Sequence, residues 1–81
     1  MLRGYVFVTA VGPFTIIEQV GLFIPYFKGF ALGVCISPQF AADDLSDGHT
    51  KPHPSDIDTA TLGIPHNLAR WSFFQESENN Q

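Results

Sequence analysis

Basic side chains are scarce in this sequence: Arg3, Lys28, Lys51 and Arg70 stand against eight Asp and Glu, for a formal charge of −4 and a pI near 5.0 over 81 residues. Non-specific affinity for nucleic acid comes from Lys and Arg neutralising phosphates, and four scattered cations form no patch. Nucleic acid is therefore not expected as a partner, and an anionic membrane surface is disfavoured on the same ground. Cysteine is nearly absent as well. Cys35 alone supplies no internal disulfide framework, the usual staple of small secreted domains.

A long uncharged run is also missing. No uncharged run exceeds the fourteen residues of Gly4 to Ile17, whereas a spanning helix needs about 20. Extending it to Ile36 takes in Glu18, Lys28, Pro13 and Pro25, and each charge in mid-membrane costs about 2.5 to 3.5 kcal/mol on insertion scales. A membrane-embedded first half would need partners that supply counter-charges and accept close Gly and Pro contacts. The other reading is a soluble core with Glu18 and Lys28 at its edge. Met1-Leu2-Arg3 before an apolar stretch resembles the start of a signal peptide, and Leu32–Cys35 a lipoprotein box, but Val34 departs from the small residue such a box places before its cysteine.

Signatures of catalysis are lacking too. Ser37, Ser46, Ser55 and Ser72 stand in no Gly-x-Ser-x-Gly elbow, and Gly12-Pro13 has none of the further glycines of a dinucleotide fingerprint. Cys35 lies in an apolar run, where a thiol is a small hydrophobe with a raised pKa. Glu18 is the single acid of the apolar half. Burial would raise its pKa and make it an acid or base, whereas exposure or an ion pair would leave it a plain carboxylate.

What the chain does have is segregation. Residues 1–42 hold 26 of the 36 hydrophobic residues and three charges, and residues 43–81 hold ten hydrophobic residues and nine charges. Two halves of such different composition suggest two different environments. Gly4 to Val11 is β-branched and aromatic without clean alternation, which predicts a strand buried on both faces. Gly12-Pro13 punctuates it, and Phe14 to Ile24 is expected as a helix ended by Pro25, followed by a short apolar run over Phe30–Ile36 that Ser37-Pro38 closes.

In the second half, Asp43 to Asp58 has the composition of a solvated loop, with five Asp, two His and two Pro. His49 and His53 are its candidates for metal ligation. Pro52 and Pro54 keep them off a continuous helix, and a calcium-loop pattern fails at Leu45 and Pro54, so the predicted metal site is none. Pro65 to Gln75 reads as an amphipathic helix with Leu68, Trp71 and Phe74 on one stripe, fraying into a polar end over Glu76–Gln81.

Eight Phe, two Tyr and one Trp are many for a chain of this length. Each aromatic buries about 150 to 250 Å², and a chain of this size hides only about 60 per cent of its unfolded surface. Tyr26, Phe27, Phe30, Leu68, Trp71 and Phe74 are therefore the candidate partner-binding residues, with no catalytic residue and no cofactor assigned.

The expected fold is small, of low regularity and mainly α: an apolar docking or membrane segment over 1–42 with one or two short helices, an acidic Asp/His/Pro loop over 43–63, and a C-terminal helix with polar tail over 64–81. A small α+β domain is the alternative. The expected function is that of a non-catalytic accessory subunit or interaction protein of a larger assembly, membrane-associated in one reading. The alternative is an independently folded soluble domain that binds a small ligand or metal. Compartment is left open.

Overall fold

Tight hairpins build the apolar half. In the computed structural model, which describes residues 2–76, strands β1 (Leu2–Thr9), β2 (Gly12–Gln19), β3 (Leu22–Phe27) and β4 (Phe30–Ala31) form an antiparallel meander. Val20-Gly21 and Lys28-Gly29 link their strands with positive φ at both positions, 52° and 76°, then 50° and 82°. That is the geometry of the type I′ turn, whose twist matches that of the paired strands. Strand β5 (Ser72–Glu76) returns from the end of the chain to pair with β1, giving the order β4-β3-β2-β1-β5.

Strand side chains alternate between the faces of the sheet. The front face carries Tyr5 and Phe7 from β1, Phe14 and Ile16 from β2, and Pro25 and Phe27 from β3. Helix α1 (Pro38–Asp47) lies over it and turns Ala41, Ala42 and Leu45 inward. Leu32, Cys35, Ile64 and Trp71 complete this core. Phe14 and Phe27 stack with ring centroids 4.3 Å apart. Trp71 leans on Phe7 and donates its indole N–H to the Pro65 carbonyl at 3.0 Å. Each large side chain hidden this way contributes about 1.5 to 3 kcal/mol, so the helix and the Trp71 segment supply the cover that the meander lacks.

The ends of α1 are written in the sequence. The Ser37 hydroxyl accepts the Phe40 N–H at 3.1 Å, Pro38 takes the first turn where its missing N–H costs nothing, and Gly48 closes the helix in the left-handed conformation at φ 76°. Pro25 is held inside β3 because its carbonyl accepts the Leu32 N–H. Its missing N–H points to the same side, where β4 is only two residues long.

The mainly α expectation is overturned: the chain is an α+β fold built on a five-stranded antiparallel sheet. The helix expected over Phe14–Ile24 is β2 and β3, because Thr15, Ile16 and Ile17 are β-branched and a two-residue turn falls between Gln19 and Leu22. The C-terminal amphipathic helix is a single 3-10 turn, Leu68–Arg70, followed by β5. The acidic loop starts as helix, since α1 runs to Asp47 across the 42/43 composition boundary. Among the described residues no helix is long and apolar enough to cross a membrane. The polar end beyond Glu76 lies outside the described residues.

Candidate interaction surface

The sheet has a second face, and no element of the described chain covers it. Its residues are the even-numbered ones of β1, the odd-numbered ones of β2, and the partners that the register sets beside them. One row runs Phe74, Gly4, Ile17, Ile24 across four strands, and the next runs Ser72, Val6, Thr15, Tyr26. Leu2, Val8 and Leu22 lie at the margins and are exposed, Val8 to 70%. Phe74, Val6, Ile17, Ile24 and Tyr26 are half-buried by their neighbours within the sheet alone. A sheet face open to water ordinarily carries polar and charged side chains. Here Glu76, at the end of β5, is the single charged residue on it among those described.

The other described charges sit in turns, on the front side or in the α1 layer. Arg3 and Glu18 face each other across β1 and β2 as an ion pair, and hydrogen bonding to the guanidinium holds the Glu18 carboxyl below its ordinary range. Glu18 is thus the ion-paired carboxylate of the two possibilities raised by the sequence. The pair borders a shallow cleft of about 240 Å³ with Tyr5, Phe23, Pro38 and Phe73. Its two charges satisfy one another and leave no free recognition group there.

The candidate partner-binding residues divide between the faces. Tyr26 and Phe74 lie on the open face, where the Tyr26 hydroxyl donates to Gln19 Oε1 at 3.1 Å. Phe27 and Trp71 are in the core, and Leu68 packs against it. Phe30 is exposed on edge strand β4, with its ring centroid 5.0 Å from that of His53. Leu68, Trp71 and Phe74 therefore share no stripe. The open face brings in Val6, Val8, Ile17, Leu22 and Ile24, which sequence reasoning did not single out. Their signal was the missing alternation in β1, which asks for cover on both faces of a strand.

The two histidines of the acidic segment are separated by environment. His49 is exposed. His53 is buried, its Nδ1 accepting the Ser55 N–H at 3.0 Å and lying 2.7 Å from the Ser55 hydroxyl, while Nε2 has no hydrogen-bond partner and the ring packs edge-on to Phe27. With Nδ1 an acceptor, the proton of a neutral ring is on Nε2. Among the described residues no three His, Cys, Asp or Glu come together as a metal-holding group. Cys35 is buried 3.6 Å from Asp44 Oδ2, and burial, reinforced by that carboxylate, raises its pKa and keeps the thiol protonated.

A polar constellation absent from the sequence reading joins α1 to the segment after it. His66 Nδ1 lies 2.9 Å from Asp43 Oδ1, and its Nε2 lies 3.1 Å from Asp47 Oδ1. The Gln39 amide donates to Asp43 Oδ1 at 2.9 Å and to the His66 carbonyl at 2.6 Å. Asp43 and Asp47 are four residues apart, one helical turn, and a helix over Pro38–Asp47 was the missing premise. The cluster is exposed and its groups satisfy one another, so its chemistry is that of a staple.

No protein-family model, curated protein or solved structure matches the chain.

Proposed function

We propose that this chain is a non-catalytic interaction protein, an assembly subunit that docks the open face of its sheet onto an uncharged apolar protein surface. One observation carries the reading. A five-stranded sheet presents Val6, Val8, Ile17, Leu22, Ile24 and Phe74 on the side opposite its helix, with Glu76 the single charge on that face among the described residues. A domain is built from packed layers because an apolar sheet face must be buried. The described residues supply one covering layer for a sheet that is apolar on both sides. Large uncovered apolar patches on soluble proteins mark interaction sites. What speaks against a catalytic role is the state of the reactive groups: Cys35 is a buried thiol, Glu18 is ion-paired, and His53 is walled in by aromatic rings.

The experiment is a comparison of Leu22→Lys, on the open face, with Val20→Lys, in the turn beside it. Val20 is fully exposed at the tip of a hairpin and off the face. Compared at a dilution where each chain sediments as a monomer, the Leu22 variant should bind less of an apolar dye, with an unchanged far-ultraviolet circular dichroism spectrum. The Val20 variant should match the wild type in dye binding. Equal dye binding by wild type and the Leu22 variant as monomers would remove the basis of the reading.

A further inference from the structure

We infer that the surface covering the open face is the open face of a second copy of this chain, giving a two-fold dimer in which the sheets pack back to back. The inference rests on the reading of that face as an interface and adds the identity of its occupant.

Charge narrows the choice. Each chain has a formal charge of −4, and like-charged copies meet only where the charge is kept out of the contact. This molecule does so. Asp43, Asp44 and Asp47 ride on α1, and Asp56 and Asp58 lie in the loop beyond it, all on the far side of the sheet. Glu76 ends the edge strand at the rim, where it remains hydrated. An acidic or basic protein surface would find no counter-charge on the face. A lipid surface would find little basic charge to hold its headgroups: Arg3 is on the front side paired with Glu18, Lys28 leans over the Phe27 ring on that same side, and Arg70 is left alone beside β5. An uncharged, apolar face is what remains, and the chain itself carries one.

Size permits it. Five strands of about 30 residues in all, at about 3.4 Å per residue and about 4.8 Å between strands, cover about 470 Å² in projection, and the accessible area of their side chains is larger, close to the low end of about 600 Å² per partner for a specific interface. Two twisted sheets packed face to face lie about 10 Å apart with strands inclined by about 30°. A two-fold axis then sets the same rows against each other. Ile17, Ile24 and Phe74 would fill the centre, and α1 of each copy would form the outer layer of a four-layer particle.

The test uses the full chain and three variants, followed by sedimentation equilibrium and circular dichroism. Wild type should sediment at twice its 8.9 kDa. Ile24→Lys, which puts two ammonium groups into the centre, and Val8→Lys, at a position exposed enough that folding is not at stake, should each weaken dimerisation at least about tenfold. Val20→Lys should leave it intact. A dimer that survives both face variants would overturn the inference, since its contact would lie elsewhere. So would recruitment of the chain to neutral phosphatidylcholine vesicles in place of self-association. A monomeric wild type whose apolar dye binding is lost in Val8→Lys would overturn the second copy and keep the face as a docking site for another protein. A monomeric wild type that binds no dye would overturn both.

Discussion

At the scale of single residues, the most exposed apolar side chain marks a site of strain. Val20 holds φ 52° at the tip of the β2–β3 hairpin and is fully exposed, so it has the cost of a left-handed backbone with no packing to offset it. A β-branched residue is among the least suited to that conformation, whereas Asn reaches it readily. Val20→Asn should therefore stabilise the fold by about 1 kcal/mol, seen as a rise in Tm of about 4 to 8 °C in a domain of this size. A thermal melt showing no rise would mean that the turn relaxes out of this geometry in solution. Gly4 is the opposite case. It sits in mid-strand at a position where a Cβ would run into the Ile16 carbonyl oxygen, so no other residue fits without moving the β1–β2 ladder. Neither feature was legible beforehand: Val-Gly is not one of the dipeptides that announce a type I′ turn, and a glycine at the head of a β-branched run reads as a boundary.

At the scale of elements, α1 is held at both ends by groups the sequence displays and along its flank by one it conceals. Ser37, Pro38 and Gly48 are a helix start and stop, yet Ser-Pro read equally well as the close of the preceding apolar run, and five aspartates nearby suggested loop. Helix then follows from capping and from burial of Ala41, Ala42 and Leu45, which outweigh the poor helix propensity of Asp. The flank is held by His66. Both its ring nitrogens face carboxylate oxygens, so the imidazolium, with two donors, satisfies Asp43 and Asp47 together and the neutral ring satisfies only one. Hydrogen bonding to Asp43 first, with the charge of Asp47 adding to it, raises the His66 pKa, and the same bond lowers that of Asp43. A raised histidine pKa gives stability that is complete below the ordinary value of about 6.5 and is lost as pH climbs through the folded-state value. A lowered aspartate pKa gives stability present above about 4 and lost as pH falls through its own folded-state value. The staple should thus be strongest between about pH 4 and about pH 6.5. Wild type should melt progressively closer to His66→Ala as pH is taken from 6 to 8. A gap between the two that is constant over that range would show that the ring contributes no titrating contact.

At the scale of the molecule, composition and architecture part company. The apolar half and the acidic half are sharply different as sequence, and the fold interleaves them: the front face of the meander is closed by α1, by Ile64 and by Trp71, and the last strand pairs with the first. What composition did convey is that aromatic and β-branched side chains exceed what a chain this short can hide, and an open sheet face is one form that excess takes. What it could not convey is strand order, because pairing β1 with β5 joins residues some seventy positions apart through no local signal. The consequence is testable as cooperativity. A modular chain would unfold in steps, losing the C-terminal segment before the meander. Here Trp71 sits where the two meet, packed on Phe7 of β1 and bonded to Pro65, and its departure would expose the front core that β1 and β2 need. Indole fluorescence, which watches that joint, and far-ultraviolet circular dichroism, which watches sheet and helix together, should therefore trace one coincident transition in denaturant. A fluorescence change that precedes the loss of strand signal would show that the meander stands without its cover, and that the compositional boundary is also a folding boundary.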